Sequence, residues 1–468
     1  MLLLLPLNVF AATSTVKTAD GDYSTPEACM NAVDPGDTCA IYTGAYSGWV
    51  QTQSGTDDST RISLVAASGQ TPVITGDIDS SGQSYVRYEG LTINDNFICL
   101  IGDRCSFIDI VDNNINNTDI GIGGSNSGDT LAGDDILIDG NIFGDRGDDV
   151  IKVNGDRWVI RNNIATDIDD SLDEHIDFMQ MSCAYQPGSE ILVENNLYSN
   201  ITGSNTHFWL INCSTGAISN FITRYNKIST VGSGAVSNTE SGGTISDEAV
   251  YNNTIYNVYA ETTALTSAIT GSVVGGEVGA ENNIYWASLK TSDARGSSMP
   301  GNVCDGSLAY DPGFTLTVNN CLQDSTGVIS NQDPLFVGAA SNNFTLRAGS
   351  PAIDAGYHLT VVADADTGSG TSLVVDDAVY FQPGWAGTQA DYIAVGTVTN
   401  TAQISSINYG TNTITLASEI SRSDGQSVWL FKDSDGTQVL YGSAPDIGAV
   451  EYFGASHKGL TIDGCTLQ

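Results

Sequence analysis

ILIDGNI, residues 136–142, is a short apolar run closed by a turn at Asn141, and it recurs along the chain. The related phrases are IDIVDNNI at 108–115, WVIRNNI at 158–164, ILVENNL at 191–197, FITRYNKI at 221–228, AVYNNTI at 249–255 and GAENNIYW at 279–286. Each reads as strand, turn, strand. Taking Asn114, Asn141, Asn163, Asn196, Asn226, Asn253 and Asn283 as corners gives separations of 27, 22, 33, 30, 27 and 30 residues, a loose repeat of one solenoid coil. Asn tolerates the left-handed backbone of a sharp bend, and its amide can bond the same amide one coil on, so a stacked Asn ladder is expected.

Between these corners lie second apolar runs: FICLIG at 97–102, IGIGG at 120–124, DVIKVNG at 149–155, HIDFMQM at 175–181, HFWLINC at 207–213 and TALTSAIT at 263–270. Parallel strands need long crossovers, and here the crossovers read as further strands and loops, not as amphipathic helices. A sandwich or propeller would not repeat one Asn corner at this spacing. The expected fold is therefore all-β: a right-handed parallel β-helix, with a small antiparallel β domain inserted near the C-terminus. The 51 glycines and the low content of charged residues, 15%, suit many short strands joined by tight turns.

Sixteen Lys and Arg against 55 Asp and Glu give a net charge of -39, which repels nucleic acid and anionic membrane surfaces. The same charge disfavours a bare polyanion unless a local cation or bridging Ca²⁺ intervenes. The opening MLLLLPLNVFAATS reads as a signal peptide over 1–12, with cleavage near Ala11 or Ala12, and no later stretch is apolar enough to span a membrane. Export sets an oxidising context, and the nine cysteines fall by proximity into Cys29 with Cys39, Cys99 with Cys105, Cys183 with Cys213 and Cys304 with Cys321. Cys465 is left over, free or available for an intermolecular link or anchoring through the C-terminal tail.

On the Asn-corner repeats, about residues 13–300 resemble the pectate-lyase-like right-handed β-helix proteins. The repeats are specific for architecture and silent on chemistry. PEACMNAVDPGDTCAIYTGAYSG, 26–48, resembles the first coil of such secreted proteins, with a short helix from Thr25 to Val33 capping the core before a Pro35-Gly36 turn. DPLFVGAASNNFTLRAGSPAIDAG, 333–356, and SAPDIGAVEY, 443–452, look like two halves of the choice-of-anchor Q segment found at the C-terminal end of bacterial secreted β-helices. The expected organisation is a β-helix over 13–300, C-terminal coils over 301–356 with the first half of that segment, an insertion over 357–442, and the second half with the tail over 443–468. In the insertion, SLVVDDAVYF, DYIAVGTV, AQISSINYGTNTITLAS and QSVWLFKD alternate as strands around turns at Tyr409-Gly410 and Asp435-Gly436, the pattern of a small antiparallel barrel.

Equivalent outward positions on stacked strands become neighbours about 4.8 Å apart. Aligning 149–155, 175–181 and 207–213 sends Ile151, Val153, Ile176, Phe178, Phe208 and Leu210 inward and Lys152, Asn154, His175, Asp177, His207 and Trp209 outward. That outward set joins a cation, two imidazoles, a carboxylate and an indole. Lys152, His175, Asp177 and His207 are the candidate catalytic residues, with Asn154 and Trp209 as candidate sugar contacts. Asp148, Asp149, Asp169, Asp170, Asp173 and Glu174 in the preceding loops offer oxygens for a Ca²⁺ ion, or simply form a solvated acidic edge.

Two functional readings follow. In the first, the protein is a polysaccharide-active enzyme. β-Elimination on a uronic-acid polymer would use Lys152 or Ca²⁺ to neutralise the carboxylate and His175 or His207 as base. Hydrolysis would use two carboxyl groups, Asp177 with Asp149 or Glu174. The motifs of polygalacturonases and the Lys and Arg pair of alginate-type lyases are not found. In the second, the chain is a non-catalytic carbohydrate-binding, adhesive or structural solenoid, and the polar column is a register-fixing ladder.

Overall fold

The computed structural model describes residues 11–95, 97–98, 105–116, 121–123, 133–144, 149–153, 155–168, 176–182, 188–201, 206–213, 217–231, 234–240, 244–257, 278–286, 302–303, 307–310, 327–363, 365–454, 461–462 and 465–466. The chain folds as a parallel β-helix. One parallel sheet of 12 strands runs from Thr13–Val16 through Ser106–Val111, Asp134–Asp139, Trp158–Arg161, Ser189–Glu194, Ala217–Arg224 and Thr244–Tyr251 to Asn302–Val303. A second parallel sheet holds 18 strands, two per coil over most of its length, and includes Ile151–Val153, Ile176–Ser182, Thr206–Cys213 and Gly234–Glu240. The inward-facing Ile, Val, Leu and aromatic side chains of the two sheets stack in one core.

The Asn ladder exists, with one correction. Its first member is Asn113, not Asn114: Asn113 Nδ2 donates to Asn141 Oδ1 at 3.0 Å, whereas Asn114 is exposed at the start of the next strand. The ladder continues through Asn163, Asn196, Asn226, Asn253 and Asn283, each Nδ2 reaching the next Oδ1 at 3.0–3.1 Å. The same oxygen accepts the backbone N–H of the Asn one coil before it, as between Asn141 N and Asn163 Oδ1 at 2.9 Å. Nor does the ladder residue itself take the left-handed conformation. That falls to the residue before it, Asp112, Gly140, Asn162, Asn195, Tyr225, Asn252 and Asn282, with φ between 52° and 70°. The ladder Asn is therefore selected for buried hydrogen bonding, and the bend is carried next door, even by Tyr225.

The second apolar runs pair in parallel where they are described, at 97–98, 122–123, 151–153, 176–182 and 206–213. TALTSAIT lies outside the described residues. The strand stacked on Thr206–Cys213 is instead Gly234–Glu240, GAVSNTE, whose apolar content is Ala235 and Val236 alone.

The first coil carries helix Pro26–Met30, shorter than expected, with the Thr25 hydroxyl accepting from Ala28 N–H. Asp37 N–H closes the Pro35-Gly36 turn on Asp34 O at 3.0 Å, and Gly36 supplies the φ of 96°. Cys29 and Cys39 form a disulfide that ties this helix to strand Thr38–Ile41. Cys105 is disulfide-bonded, while Cys99, Cys183, Cys304 and Cys321 lie outside the described residues.

The antiparallel domain begins after residue 356. Its strands run in the order Thr360–Val361, Ser427–Lys432, Tyr392–Val395, Thr397–Asn408, Thr413–Arg422, Gly368–Val374. Ala363 N–H donates to Val374 O and Asp376 N–H to Val361 O, each at 3.0 Å, so the last strand returns to the first and the sheet closes into a small barrel. It sits on the outer face of the 12-stranded sheet, where the in-register row Leu137, Val159, Leu192, Ile222, Ala249 is apolar and meets the barrel's own core. The adjacent row reads Asp139, Arg161, Glu194, Arg224, Tyr251, Glu281. Arg224, fully buried, binds Asp391 of the barrel through two bonds of 2.8 Å and Glu194 through one of 2.7 Å. Burial opposes the Arg224 charge, but the two carboxylates outweigh it and raise its pKa.

The stretches 333–356 and 443–452 also meet, although the barrel separates them in sequence. Ile447 N–H donates to Ala352 O, Gly356 N–H to Pro445 O and Asp354 N–H to Asp446 Oδ1. Phe336, Phe344, Leu346, Ala352 and Ile447 form a satellite core against Ile284 and Leu308 of the last coils.

Candidate functional site

The site is built on three consecutive strands of the 18-stranded sheet. Ile151 pairs with Met179 and Asp177 with His207, and Val150 N–H bonds Asp177 O, which stacks Asp149, Asp177 and His207 on successive coils. Asp149 Oδ1 accepts Asp177 N–H at 2.9 Å, and Asp177 Oδ1 accepts His207 N–H at 2.9 Å. Each carboxylate thus holds the backbone one coil on, whereas the ladder asparagine oxygens hold the backbone one coil before.

Two contacts go beyond that pattern. His207 Nδ1 lies 3.0 Å from Asp177 Oδ1, and Lys152 Nζ lies 3.4 Å from Asp149 Oδ2. A carboxylate can only accept, so Nδ1 carries the hydrogen and Nε2 is left as the acceptor nitrogen. The side chains of His207 and Lys152 are each 14% exposed, while Asp149 and Asp177 are fully buried. Burial lowers the His207 pKa from 6.5 to about 4, so the imidazole is neutral at physiological pH. A neutral, oriented imidazole with a solvent-reachable edge is suited to accept a proton.

Trp209 corrects the sequence reading. It is 1% exposed and lies in the core, edge-on to Phe208 and Phe221 at 5.8 and 5.6 Å, in register with Met179. Strict alternation fails because Phe178 and Met179, and likewise Phe208 and Trp209, are consecutive buried residues. Trp209 is thus buried beside Phe208, while the His207 side chain keeps partial exposure. Trp209 therefore offers no face to a sugar.

Asn154, His175, Asp148, Asp169, Asp170, Asp173 and Glu174 lie outside the described residues. Of the six expected Ca²⁺ ligands only Asp149 is described, and it does not fit that role: one oxygen receives an N–H and the other faces the Lys152 ammonium. Among the described residues no group of three ligating side chains surrounds a point in space, and no helix is long and apolar enough to cross a membrane.

No family model matches the chain, and no curated protein does. Solved structures similar to it include pectate lyase Pel9A, at 13% identity and a TM-score of 0.36, covering 77% of this chain and 94% of that one. The complex of XylC with xylose matches at 10% identity and a TM-score of 0.43, covering 94% and 99%. The catalytic unit of the GH87 α-1,3-glucanase from Streptomyces thermodiastaticus strain HF3-3 matches at 14% identity and a TM-score of 0.39, covering 65% and 66%. The fold rests on the strand pairing itself, and likenesses this distant carry no argument about the reaction.

Proposed function

We propose that this chain is an exported polysaccharide lyase that cleaves a uronic-acid polymer by β-elimination on the outer face of the β-helix. The observation that carries the reading is the Asp177–His207 pair, with Nδ1 held at 3.0 Å and burial keeping the ring neutral down to about pH 4.

In this reading His207 Nε2 takes the proton from C5 of the uronate. The C5–H electron pair becomes the C4=C5 double bond, the C4–O bond breaks, and the departing oxygen is protonated by the imidazolium or by water. Asp177 fixes the tautomer and stabilises the imidazolium as it forms. Lys152 supplies positive charge for the uronate carboxylate in a protein whose net charge of -39 would otherwise repel it. No step is routed through Ca²⁺, whose remaining proposed ligands are Asp148, Asp169, Asp170, Asp173 and Glu174.

The test is to incubate the protein with polygalacturonate and with alginate, following the ultraviolet absorbance of the new double bond beside a reducing-end assay. Absorbance lost in His207→Ala supports the reading. Reducing ends without absorbance would mean hydrolysis.

One observation favours a second reading, a non-catalytic carbohydrate-binding or adhesive solenoid. Asp149 and Asp177 each accept a backbone N–H across one coil, as the Asn ladder does in the opposite sense along the axis, and such a bond is what a pure register device requires. Silence in both assays would favour it.

A further inference from the structure

Four coils toward the N-terminus, on the same sheet, the surface has a depression of about 410 Å³ between strands Gly44–Val50 and Pro72–Asp79. Its cause is local. The register between these strands slips by one residue after Ser47, so that Gly76 and Asp77 together oppose Gly48. Gly76 has a φ of 101°, and a Cβ at Gly48 would overlap the backbone of Gly76 and Asp77. A bulge that needs glycine on both strands is a shaped feature, and bulges commonly re-aim side chains beside binding sites.

The bulge presents Ser47, Thr75 and Asp77, all exposed, beside the half-buried Asp79, with Val50 56% exposed at the edge. Two hydroxyls and two carboxylates are acceptors and donors for sugar hydroxyls, and Val50 offers an apolar patch to the C–H face of a ring. Two carboxylates in a chain of net charge -39 exclude an anionic unit.

The position of the depression is also specific. Val50 pairs with Asp79, Asp79 with Ile98 and Ile98 with Gly123, and the Ile122–Ile151 pairing sets Gly123 beside Lys152. Lys152 is thus four rungs from Val50 on the same row, about 19 Å at roughly 4.8 Å per rung. Gly123, at φ 136°, adds no side chain to that row, and a Cβ there would fall 2.7 Å from the Lys152 carbonyl oxygen.

We propose that this depression is a second carbohydrate site, which takes an uncharged sugar unit. That this unit belongs to the polymer cleaved at His207, laid along the helix axis, rests on the lyase reading above; the binding itself does not.

The experiment is native electrophoresis of the full chain through gels cast with a neutral xylan or a neutral glucomannan, without added Ca²⁺. Wild type and His207→Ala are expected to be retarded by at least one of them, and the double variant Val50→Ala, Asp77→Ala to lose that retardation while keeping the wild-type melting transition. Ser47→Trp, which fills the depression from an exposed position, is expected to lose it too, and stands in if the double variant fails to fold. Equal retardation of wild type and these variants overturns the proposal, as does no retardation of wild type by either glycan or retardation that needs Ca²⁺. Retardation without unsaturated product leaves this site standing and removes the lyase reading; product without retardation does the reverse.

Discussion

His207 Nδ1 and Asp177 Oδ1 stand 3.0 Å apart across one coil, and the same oxygen holds the His207 backbone N–H at 2.9 Å. One carboxylate therefore fixes both the strand and the ring. Because burial lowers the His207 pKa from 6.5 to about 4, the base form persists well into acid. We expect the acid limb of kcat/KM near pH 4, not near 6.5. The same shift bears on stability: the folded state favours neutral His207, a contribution present above the unfolded value and lost as pH falls through about 4. A pH–rate profile on cleaved polymer checks the first expectation.

Asp177→Asn separates chemistry from register. An Asn oxygen can still accept both N–H groups, so the melting temperature should stay close to wild type, while loss of the negative charge behind the imidazole should lower kcat by about 10²-fold or more. A pure register role would leave activity and binding unchanged. Asp177→Ala strands the buried N–H of the next coil and should destabilise as well.

The corrected ladder makes a paired prediction. The Asn113 side chain bonds Asn141 Oδ1 and the Tyr88 carbonyl from a buried position, whereas the side chain of the exposed Asn114 accepts from Asn116 Nδ2. Asn113→Ala should cost about 2–4 kcal/mol, since it leaves buried partners unsatisfied, and Asn114→Ala less than about 0.5 kcal/mol. Urea unfolding of the two variants decides between the positions.

Much of this architecture is legible in the sequence because a coil repeats. ILIDGNI and its relatives mark both the stacked strands and the corner, and NYGTN at 408–412 marks the hairpin of the barrel. The one-residue error at Asn113 arises because two asparagines stand side by side there, and only burial tells the hydrogen-bonding one from its neighbour. Gly234–Glu240 escapes notice because its pairing with Thr206–Cys213 rests on backbone hydrogen bonds, which leave little apolar pattern in its sequence. Trp209 misleads because period-two alternation breaks at Phe208 and Trp209, two consecutive buried residues. Asp177 and His207 both stand out as polar residues on these runs, but aligning HIDFMQM with HFWLINC sets Asp177 against Trp209, and only the actual register, shifted by two, sets it against His207. The depression at Gly48 likewise depends on a register slip that no local motif announces.

Docking of the barrel should depend on Arg224. It is fully buried between Glu194 and Asp391, and the barrel's Ser434 hydroxyl reaches Glu194 as well. Asp391→Ala leaves the guanidinium short of a charge partner and should cost about 3–5 kcal/mol. Calorimetry is expected to show a lowered transition for the variant, with the double variant Arg224→Met, Asp391→Leu regaining much of the loss.

The junction of 350–356 with 443–452 should respond to pH in the opposite sense to His207. Burial raises Asp446 from 3.8 to about 6, and Glu451, buried and beside Asp446, is raised well above its ordinary value. A raised folded pKa gives stability that is complete below the unfolded value and lost as pH rises through the folded one. Stability at this junction should therefore decline as pH increases from about 4 through 6. Glu451→Gln, which keeps an oxygen for the Asp446 N–H, should raise the melting temperature at pH 8 and change it little at pH 4.

The most direct test of the central claim is the ultraviolet absorbance of unsaturated product formed from polygalacturonate and alginate by wild type, His207→Ala and Asp177→Asn, each shown to be folded. The account predicts absorbance with wild type on at least one polymer, none with His207→Ala, and a rate lowered by about 10²-fold or more with Asp177→Asn. Product formed at the wild-type rate by His207→Ala, or none by wild type on either polymer, would contradict it.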